Sequence, residues 1–405
     1  MSKNNIVVSL IIMILTGCMN ISTPTSVPAS QTPLIANTVI PTPTLLPLAS
    51  PTAAPDPRYV QKCVKIEDQV VSLKDVTSGT ILLFTNPPEN QPFLLDIQTG
   101  RKYLLPTEVK NPTFLGEYVS PDGNKFAYVE GVVNSEYKFD KAILWVTNAH
   151  AEVLAKLRFN QGLGNNLRWL DNDHVIFYFD QTGVDGTVMV VNPFTGEQQL
   201  IFNKLPNLVT GDLAWDVNWR AEYSKDLNWV AYLGSSNPAG GSPIVYDVKT
   251  KKIIWQAVTD QNWDMSVWSP DDSQVTAIVW DDQTTQSELY LIDHSGHAKP
   301  IFVMGRKQAF APSWSPDGNR IAFWNNHELM VYDLKADKTT SLCIGNEADR
   351  QYPPVWSPDS SQLGVDQYMD EQHTVLINIQ QGVGYIPTEI QGIATYPNIW
   401  MNSIP

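Results

Sequence analysis

Charged and aromatic residues recur in four groups along the second half of the chain, and the first residues of successive groups are 51, 43 and 43 residues apart. A carboxylate such as Asp216 or Asp264, paired with a neighbouring basic group, could provide general acid and base catalysis on a glycan or a peptide. The same side chains could instead bind a ligand without reacting with it. The four groups are Asp212, Trp215 and Asp216; Trp263 and Asp264; Arg306, Lys307 and Gln308; and Asp349, Arg350, Gln351 and Tyr352.

The sequence lacks the motifs by which the commonest catalytic sites are recognised. It contains no G-x-S-x-G, H-E-x-x-H, P-loop or C-x-x-C pattern, and GLGNNL from Gly162 lacks the third glycine of a dinucleotide-binding loop. His294 and His297 are close in sequence, but they fall in a turn between two strand-like segments. We therefore predict no metal site and no cofactor, and we favour a binding module over a glycan- or peptide-cleaving enzyme.

The elements that would position these groups are indicated by a repeated tetrapeptide. It reads VSPD at Val119 and WSPD at Trp268, Trp314 and Trp356, and each copy precedes a short apolar segment. The best copy, Pro312–Cys343, divides into four strand-sized segments separated by turn residues. Ser, Pro, Asp and Gly suit successive positions of a type I turn, so the first two strands form a hairpin.

Aligning the chain on the aromatic position gives seven inner strands, and therefore a β-propeller of seven four-stranded blades. Thr80–Leu105 offers three strands without an inner partner, while the chain ends in an inner strand without companions. Pairing of these two segments would close the ring. The aromatic residues should pack between blades, and the Asp of each turn should serve the turn rather than a metal. The seven positions are Val119, Trp169, Tyr223, Trp268, Trp314, Trp356 and Trp400.

The segment SWSPDGNRIAF from Ser313 resembles the repeat of WD-repeat-like propellers of the TolB type. The resemblance covers roughly residues 80–405, with weaker copies at WLDND and YSKD that lack the proline. It implies a propeller fold and, by analogy alone, a role in binding. The four groups lie in loops that lead into inner strands. These loops should therefore converge around the central channel on one face, and loops on a rigid scaffold commonly carry function.

The N-terminus predicts export and anchoring. Residues 1–17 combine a lysine, a short apolar stretch and small residues before Cys18, as in a cleaved export signal. The arrangement resembles a bacterial lipoprotein lipobox, which implies a diacylglycerol on Cys18; an ordinary signal peptide is the alternative. Residues 18–57, with nine prolines and one charged residue, predict a disordered tether of up to about 120 Å. Residues 58–78 would pack on a propeller of residues 79–405.

Charge and cysteine content limit the partners. The formal net charge of −15 argues against nucleic acid or an anionic membrane surface as the partner. We expect a monomer held in the cell envelope by its lipid, facing the extracytoplasmic side, with a protein or glycan partner. Beyond Cys18, only Cys63 and Cys343 remain. An even number in an oxidising compartment favours a disulfide, which would hold residues 59–73 across the propeller rim; two separate thiols are the alternative.

Overall fold

The computed structural model describes most of the chain beyond residue 57. The described residues are 58–66, 78–85, 92–108, 113–131, 142–159, 167–181, 184–201, 205–206, 213–214, 221–233, 242–257, 267–281, 286–304, 311–325, 327–345, 352–368, 372–390 and 395–402. The predicted signal, Cys18 and the predicted tether lie outside these ranges.

Seven antiparallel sheets form a ring, so the protein is a seven-bladed β-propeller, as the sequence predicts. In blades 2 to 7 the chain runs from an inner strand outward, whereas blade 1 takes its inner strand from the end of the chain. The strands of blades 1 and 2 are β3 (Thr80–Thr85), β4 (Phe93–Asp96), β5 (Lys102–Leu104), β6 (Thr113–Val119), β7 (Phe126–Gly131), β8 (Ala142–Thr147) and β9 (Val153–Phe159). Those of blades 3 and 4 are β10 (Arg168–Trp169), β11 (Val175–Gln181), β12 (Val184–Val191), β13 (Gln198–Ile201), β16 (Glu222–Tyr223), β17 (Trp229–Leu233), β18 (Pro243–Asp247) and β19 (Lys252–Gln256).

Blade 5 has a reduced inner strand, because Trp268 meets Val275 in a single bridge. Its other strands are β20 (Gln274–Asp281), β21 (Gln286–Asp293) and β22 (Ala298–Met304). Blades 6 and 7 comprise β23 (Ser313–Trp314), β24 (Arg320–Asn325), β25 (Glu328–Asp333), β26 (Lys338–Gly345), β27 (Val355–Trp356), β28 (Gln362–Tyr368), β29 (Gln372–Asn378) and β30 (Val383–Tyr385). The remaining elements are β1 (Tyr59–Gln61), β2 (Lys65–Ile66), the pair β14 (Leu205–Pro206) and β15 (Leu213–Ala214), a 3-10 helix (Thr388–Ile390) and β31 (Thr395–Met401).

The ring closes where the sequence predicts. The last strand, β31, is the inner strand of blade 1 and pairs antiparallel with β3, from Thr80 opposite Met401 to Thr85 opposite Thr395. Gly79 precedes this pairing with a φ of +125°, and a Cβ there would lie 2.6 Å from the Met401 carbonyl oxygen. Only glycine tolerates both that backbone angle and that close approach. Closure therefore joins segments from the two ends of the propeller.

The predicted aromatic positions pack between blades. Trp268, Trp314 and Trp356 are each at most 8% exposed. Each indole Nε1 also donates a hydrogen bond to a backbone carbonyl of the preceding blade: Trp268 to Glu222, Trp314 to Val267 and Trp356 to Ser313, at 2.8, 3.1 and 3.0 Å. A buried indole needs such an acceptor, since an unpaired N–H in the core is costly. The tryptophans thus fix the spacing of neighbouring blades.

The repeated tetrapeptide forms the hairpin between the first and second strands. In blade 6 the Gly318 N–H donates to the Ser315 carbonyl at 2.8 Å, which closes the turn. The Ser315 hydroxyl donates to the Asp317 carboxylate at 2.5 Å, and the Asn319 N–H donates to the same carboxylate at 3.1 Å. The aspartate therefore has the turn-forming role that the sequence predicts. The same serine-to-aspartate bond recurs at Ser120, Ser224, Ser269 and Ser357.

The segment before the propeller runs along its rim. In blade 6, β1 pairs parallel with β26 and adds a fifth strand; in blade 7, β2 does the same with β30. Cys343 lies in β26, the fourth strand of blade 6, where the sequence predicts the outer edge of the blade. The strand β1 pairs beyond β26 and forms the actual edge. Cys63 and Cys343 form a disulfide, with their Cα atoms 4.8 Å apart. We refer to residues 58–66 as the strap.

Loss of this disulfide should lower stability without removing the fold. For the Cys63→Ser/Cys343→Ser variant we expect a free energy of unfolding reduced by about 2–4 kcal/mol, because the bond closes a long loop in the unfolded chain. Thermal unfolding of both proteins, with and without reductant, measures the effect. Reductant should lower the melting temperature of the parent protein to that of the variant. An unchanged melting temperature of the parent protein after complete reduction would contradict this expectation.

Among the described residues, no helix has the length and apolar character needed to cross a membrane.

Candidate functional site

The two faces of the propeller differ in the length of their connections. Because successive strands alternate in direction, the connection into each inner strand emerges on one face, which we call the loop face. The hairpin after each inner strand lies on the opposite turn face. Connections into inner strands range from 8 residues, between β22 and β23, to 20 residues, between β13 and β16. On the turn face the connections have only four to six residues. The loop face therefore offers more chain for recognition.

All of the predicted ligand-binding residues belong, in chain order, to connections on the loop face. Asp212 directly precedes β15, and Trp215 and Asp216 follow it. The others fall before the inner strands of blades 5, 6 and 7. Their own placement lies outside the described residues, so each remains a prediction; they are Asp212, Trp215, Asp216, Trp263, Asp264, Arg306, Lys307, Gln308, Asp349, Arg350 and Gln351. Tyr352 is described and half-buried.

Buried aromatic residues of the second strands hold the bases of these loops. The Tyr128 hydroxyl donates to the Pro106 carbonyl at 2.6 Å, and the Tyr232 hydroxyl donates to the Pro206 carbonyl at 2.9 Å. In blade 6 the same task falls to Trp324, whose Nε1 donates to the Tyr352 carbonyl at 2.9 Å. All three side chains are at most 1% exposed. The loops of the loop face thus start from fixed points on a rigid scaffold.

One buried carboxylate lies near the loop face of blade 2. Glu130 is fully buried, and it accepts hydrogen bonds from Trp145 Nε1 at 2.7 Å and from the Glu108 N–H at 2.8 Å. The Thr107 hydroxyl donates to it as well. Three donors suit a carboxylate whose task is to hold the loop before β6, since a buried charge must be hydrogen-bonded. Glu130 is therefore a structural residue, which the sequence did not indicate.

The turn face presents carboxylates whose hydrogen-bonding capacity is already used. Burial acts to raise the pKa of Asp317, but hydrogen bonds from Ser315 and Asn319 hold it below its ordinary value. The same opposition lowers the pKa of Asp271 and Asp359, with Ser269 and Ser357 as the first donors. These aspartates stay ionised at neutral pH and stabilise their own turns. General acid chemistry needs a raised pKa, so they do not suit that role.

A cluster of charged residues joins blades 3, 4 and 5. Arg168 lies 3.3 Å from a Glu222 carboxylate oxygen and 3.6 Å from an Asp272 carboxylate oxygen. Burial raises the pKa of Glu222, and Arg168 opposes that rise. A small cavity beside Arg168 and Glu222 has room for about one water molecule. We missed this cluster in the sequence, although its signal was present: Arg168 and Glu222 occupy an inner-strand position where other blades have Val267, Ser313 and Val355.

Both histidines lie in the turn between β21 and β22, where the sequence predicts them. His294 lies in the turn between β21 and β22, with its ring stacked on Trp229 at a centroid distance of 4.3 Å. The Trp268 ring meets it edge-on at 5.7 Å. Within the described ranges, no group of three or more histidine, cysteine, aspartate or glutamate residues is arranged to hold a metal ion.

Comparisons with known proteins inform the fold alone. No family model and no curated protein sequence matches the chain. An uncharacterized protein of Listeria monocytogenes EGD-e shares 13% identity with a TM-score of 0.51, over 81% of this chain and 96% of that chain. TolB from Acinetobacter baumannii shares 13% identity with a TM-score of 0.44, over 77% and 79%. The Cps50 (Swd1) β-propeller domain of Myceliophteria thermophila shares 11% with a TM-score of 0.45, over 83% and 99%.

Proposed function

We propose that this chain is a membrane-anchored binding module outside the cytoplasm, which recognises a protein segment or an envelope glycan through its loop face. The observation that carries the proposal is the contrast between the two faces. On the loop face, long connections start from points fixed by Tyr128, Tyr232 and Trp324. On the turn face, short turns satisfy their own polar groups. A rigid scaffold that fixes the described bases of these connections favours recognition, because it lowers the ordering cost of binding.

The enzyme alternative depends on Asp216 and Asp264, which would need to face each other at about 5–10 Å for glycoside chemistry. Neither carboxylate lies among the described residues. Glu130 and the turn aspartates are bound by structural donors. These carboxylates do not favour catalysis, and binding remains the function that we propose.

Replacement of four predicted loop-face residues should abolish partner binding while leaving the propeller folded. We expect Trp263→Ala/Asp264→Ala/Arg306→Ala/Arg350→Ala to retain its melting temperature, because exposed substitutions usually change stability by less than about 0.5 kcal/mol each. Affinity capture from envelope extracts of the parent cell, with the parent protein and the variant as bait, measures binding.

A control variant on exposed turn-face tips, Gln98→Ala/Thr195→Ala/Gln380→Ala, should capture the partner as well as the parent protein does. Equal capture by the loop-face variant and the parent protein would move the binding site to the rim or the turn face. Turnover of an envelope glycan or peptide by the parent protein, lost in Asp216→Asn or Asp264→Asn, would instead establish the enzyme.

Anchoring should depend on one residue. We expect Cys18→Ser to release the protein from the membrane fraction, because the lipobox resemblance assigns the diacylglycerol to the Cys18 sulfur, and two acyl chains are what stable anchoring requires. Metabolic labelling with a fatty-acid analogue, followed by fractionation, tests this. A parent protein that takes up no label, or a variant that takes up as much as the parent, would overturn the lipid anchor and leave an ordinary signal peptide.

A further inference from the structure

The rim of blades 4 to 7 is basic, although the whole chain carries a net charge of −15. The strap and residues 247–252, 293–299 and 333–338, which are the turns between third and fourth strands of blades 4, 5 and 6 with their flanking strand residues, contain nine lysines and arginines against four aspartates, a net charge of +5. We refer to the exposed lysines of this region as the basic edge; they are Lys62, Lys65, Lys249, Lys251, Lys252, Lys335 and Lys338.

Contacts between neighbouring turns make this edge continuous. A Cβ at Gly296 of blade 5 would lie 2.5 Å from the Ile254 carbonyl oxygen of blade 4. From blade 5 to blade 6, Lys299 pairs with Asp337 at 2.8 Å. The strap completes the row at blade 7, where Lys62 Nζ donates to the Ile379 carbonyl at 3.3 Å. The lysines therefore belong to one surface that crosses four blades.

The aspartates of the same turns are engaged with their own turns. Asp247 accepts the Thr250 N–H at 2.9 Å, and Asp333 accepts the Ala336 N–H at 2.7 Å. Asp293 accepts the Ser295 N–H at 2.8 Å. These carboxylates face the backbone, whereas the neighbouring lysines are exposed. An approaching surface would thus meet cations first.

Exposed apolar side chains lie on the same edge. Tyr59, Val60 and Val303 are 40%, 38% and 41% exposed. Tyr59 packs beside Phe302 with a centroid distance of 6.4 Å, and these two residues form an apolar patch where the strap meets the outer strand of blade 5. Lysines around exposed aromatic and aliphatic side chains are typical of surfaces that lie against a membrane interface. A free polyanion would use the lysines but gain nothing from the apolar patch.

We propose that the basic edge docks the propeller against a bilayer containing anionic phospholipids. The inference rests on the proposed membrane anchoring, because the strap directly follows the proline-rich residues 18–57. A tethered head samples the nearby bilayer at high effective concentration, so a weak contact suffices to hold it edge-on. In that orientation the outer margin of the turn face lies nearest the membrane, and the loop face stays open to its partner.

Vesicle binding by an unlipidated chain tests the proposal independently of the anchor. The chain would begin at Met19, which keeps every described residue, and would be mixed with phosphatidylcholine vesicles with or without phosphatidylglycerol. We expect binding to the anionic vesicles alone, weakening as salt rises. Lys249→Gln/Lys251→Gln/Lys252→Gln/Lys335→Gln should weaken that binding about 100-fold or more, because each basic residue near such a surface contributes about 1 kcal/mol.

A matched variant removes four cations elsewhere, from blades 1 and 2: Arg101→Gln/Lys102→Gln/Lys156→Gln/Arg158→Gln. It should bind the vesicles within about threefold of the parent chain, a change too small for the loss of one interfacial lysine. A second variant, Tyr59→Ser/Val60→Ser, should weaken vesicle binding but leave any binding to soluble polyphosphate unchanged. No binding to anionic vesicles, or an equal loss of binding in the two variants that each lack four basic residues, would overturn the proposal. Tight polyphosphate binding, with vesicle binding unaffected by Tyr59→Ser/Val60→Ser, would assign the edge to a soluble polyanion.

Discussion

A chain that lacks residues 394–405 should fail to form a stable propeller. The deletion removes β31 and with it the inner strand of blade 1. Ile399, Trp400 and Met401 are at most 8% exposed, and truncation of a single such core side chain costs about 2–5 kcal/mol. The combined loss is on the order of 10 kcal/mol, which equals the whole stability of a typical domain.

The deletion also opens the ring. The Asn402 N–H donates to the Gly123 carbonyl, and the Asn402 side-chain amide donates to the Asp122 carbonyl, both at 2.9 Å, so blade 1 loses these two hydrogen bonds to blade 2. The edge of β3 would be left unpaired, which favours aggregation. Size-exclusion chromatography and thermal unfolding should show aggregates and no cooperative transition. Deletion of residues 403–405 alone keeps β31 and should leave the melting temperature unchanged. A longer deletion with an unchanged melting temperature would show that closure does not depend on β31.

The ring and its closure could be predicted because the signals are local. Each of blades 2 to 7 has its own hairpin with Ser-Pro-Asp or a related turn, and the spacing of the seven aligned positions, Trp268, Trp314 and Trp356 among them, counts the blades directly. The strap could not be predicted in the same way. Tyr59 pairs with Thr339, and no pattern within the three residues of β1 indicates a partner so distant in sequence. The disulfide was inferred from the number of cysteines, not from the strand pairing that brings them together.

The candidate site, too, has features that the sequence pattern predicts and features that it does not. Periodicity assigns Trp263 and Arg306 to connections that enter inner strands, because that assignment depends only on counting along the chain. It does not indicate which side chains hold those loops, since Tyr128 and Trp324 look like ordinary core residues in the sequence. Their polar atoms find acceptors in other segments, Pro106 and Tyr352. Hydrogen bonds between segments of this kind depend on the folded geometry, which the sequence pattern does not contain.

Arg168→Ala should destabilise the propeller by about 3–5 kcal/mol, because it leaves two buried carboxylates without their shared cation. Glu222 and Asp272 have side chains only 14% and 13% exposed, and Arg168 links them across three blades. Adding Glu222→Gln to the Arg168→Ala variant removes one of the two uncompensated charges and should restore part of the free energy of unfolding. Urea unfolding of the parent protein, the single variant and the double variant measures both effects.

The pH dependence of this destabilisation shows whether it comes from uncompensated charges or from lost packing. Burial raises the pKa of both Glu222 and Asp272, and Arg168 opposes the rise. Without Arg168 both folded-state pKa values rise further, so the folded variant binds more protons than its unfolded chain. The variant's stability is then greatest below the unfolded-state pKa and falls as pH rises through the folded-state pKa. We therefore expect a smaller difference between variant and parent at about pH 5 than at about pH 8. A difference that does not change with pH would mean that Arg168 contributes through packing alone, and a loss below about 1 kcal/mol would mean that the cluster does not hold blades 3 to 5 together.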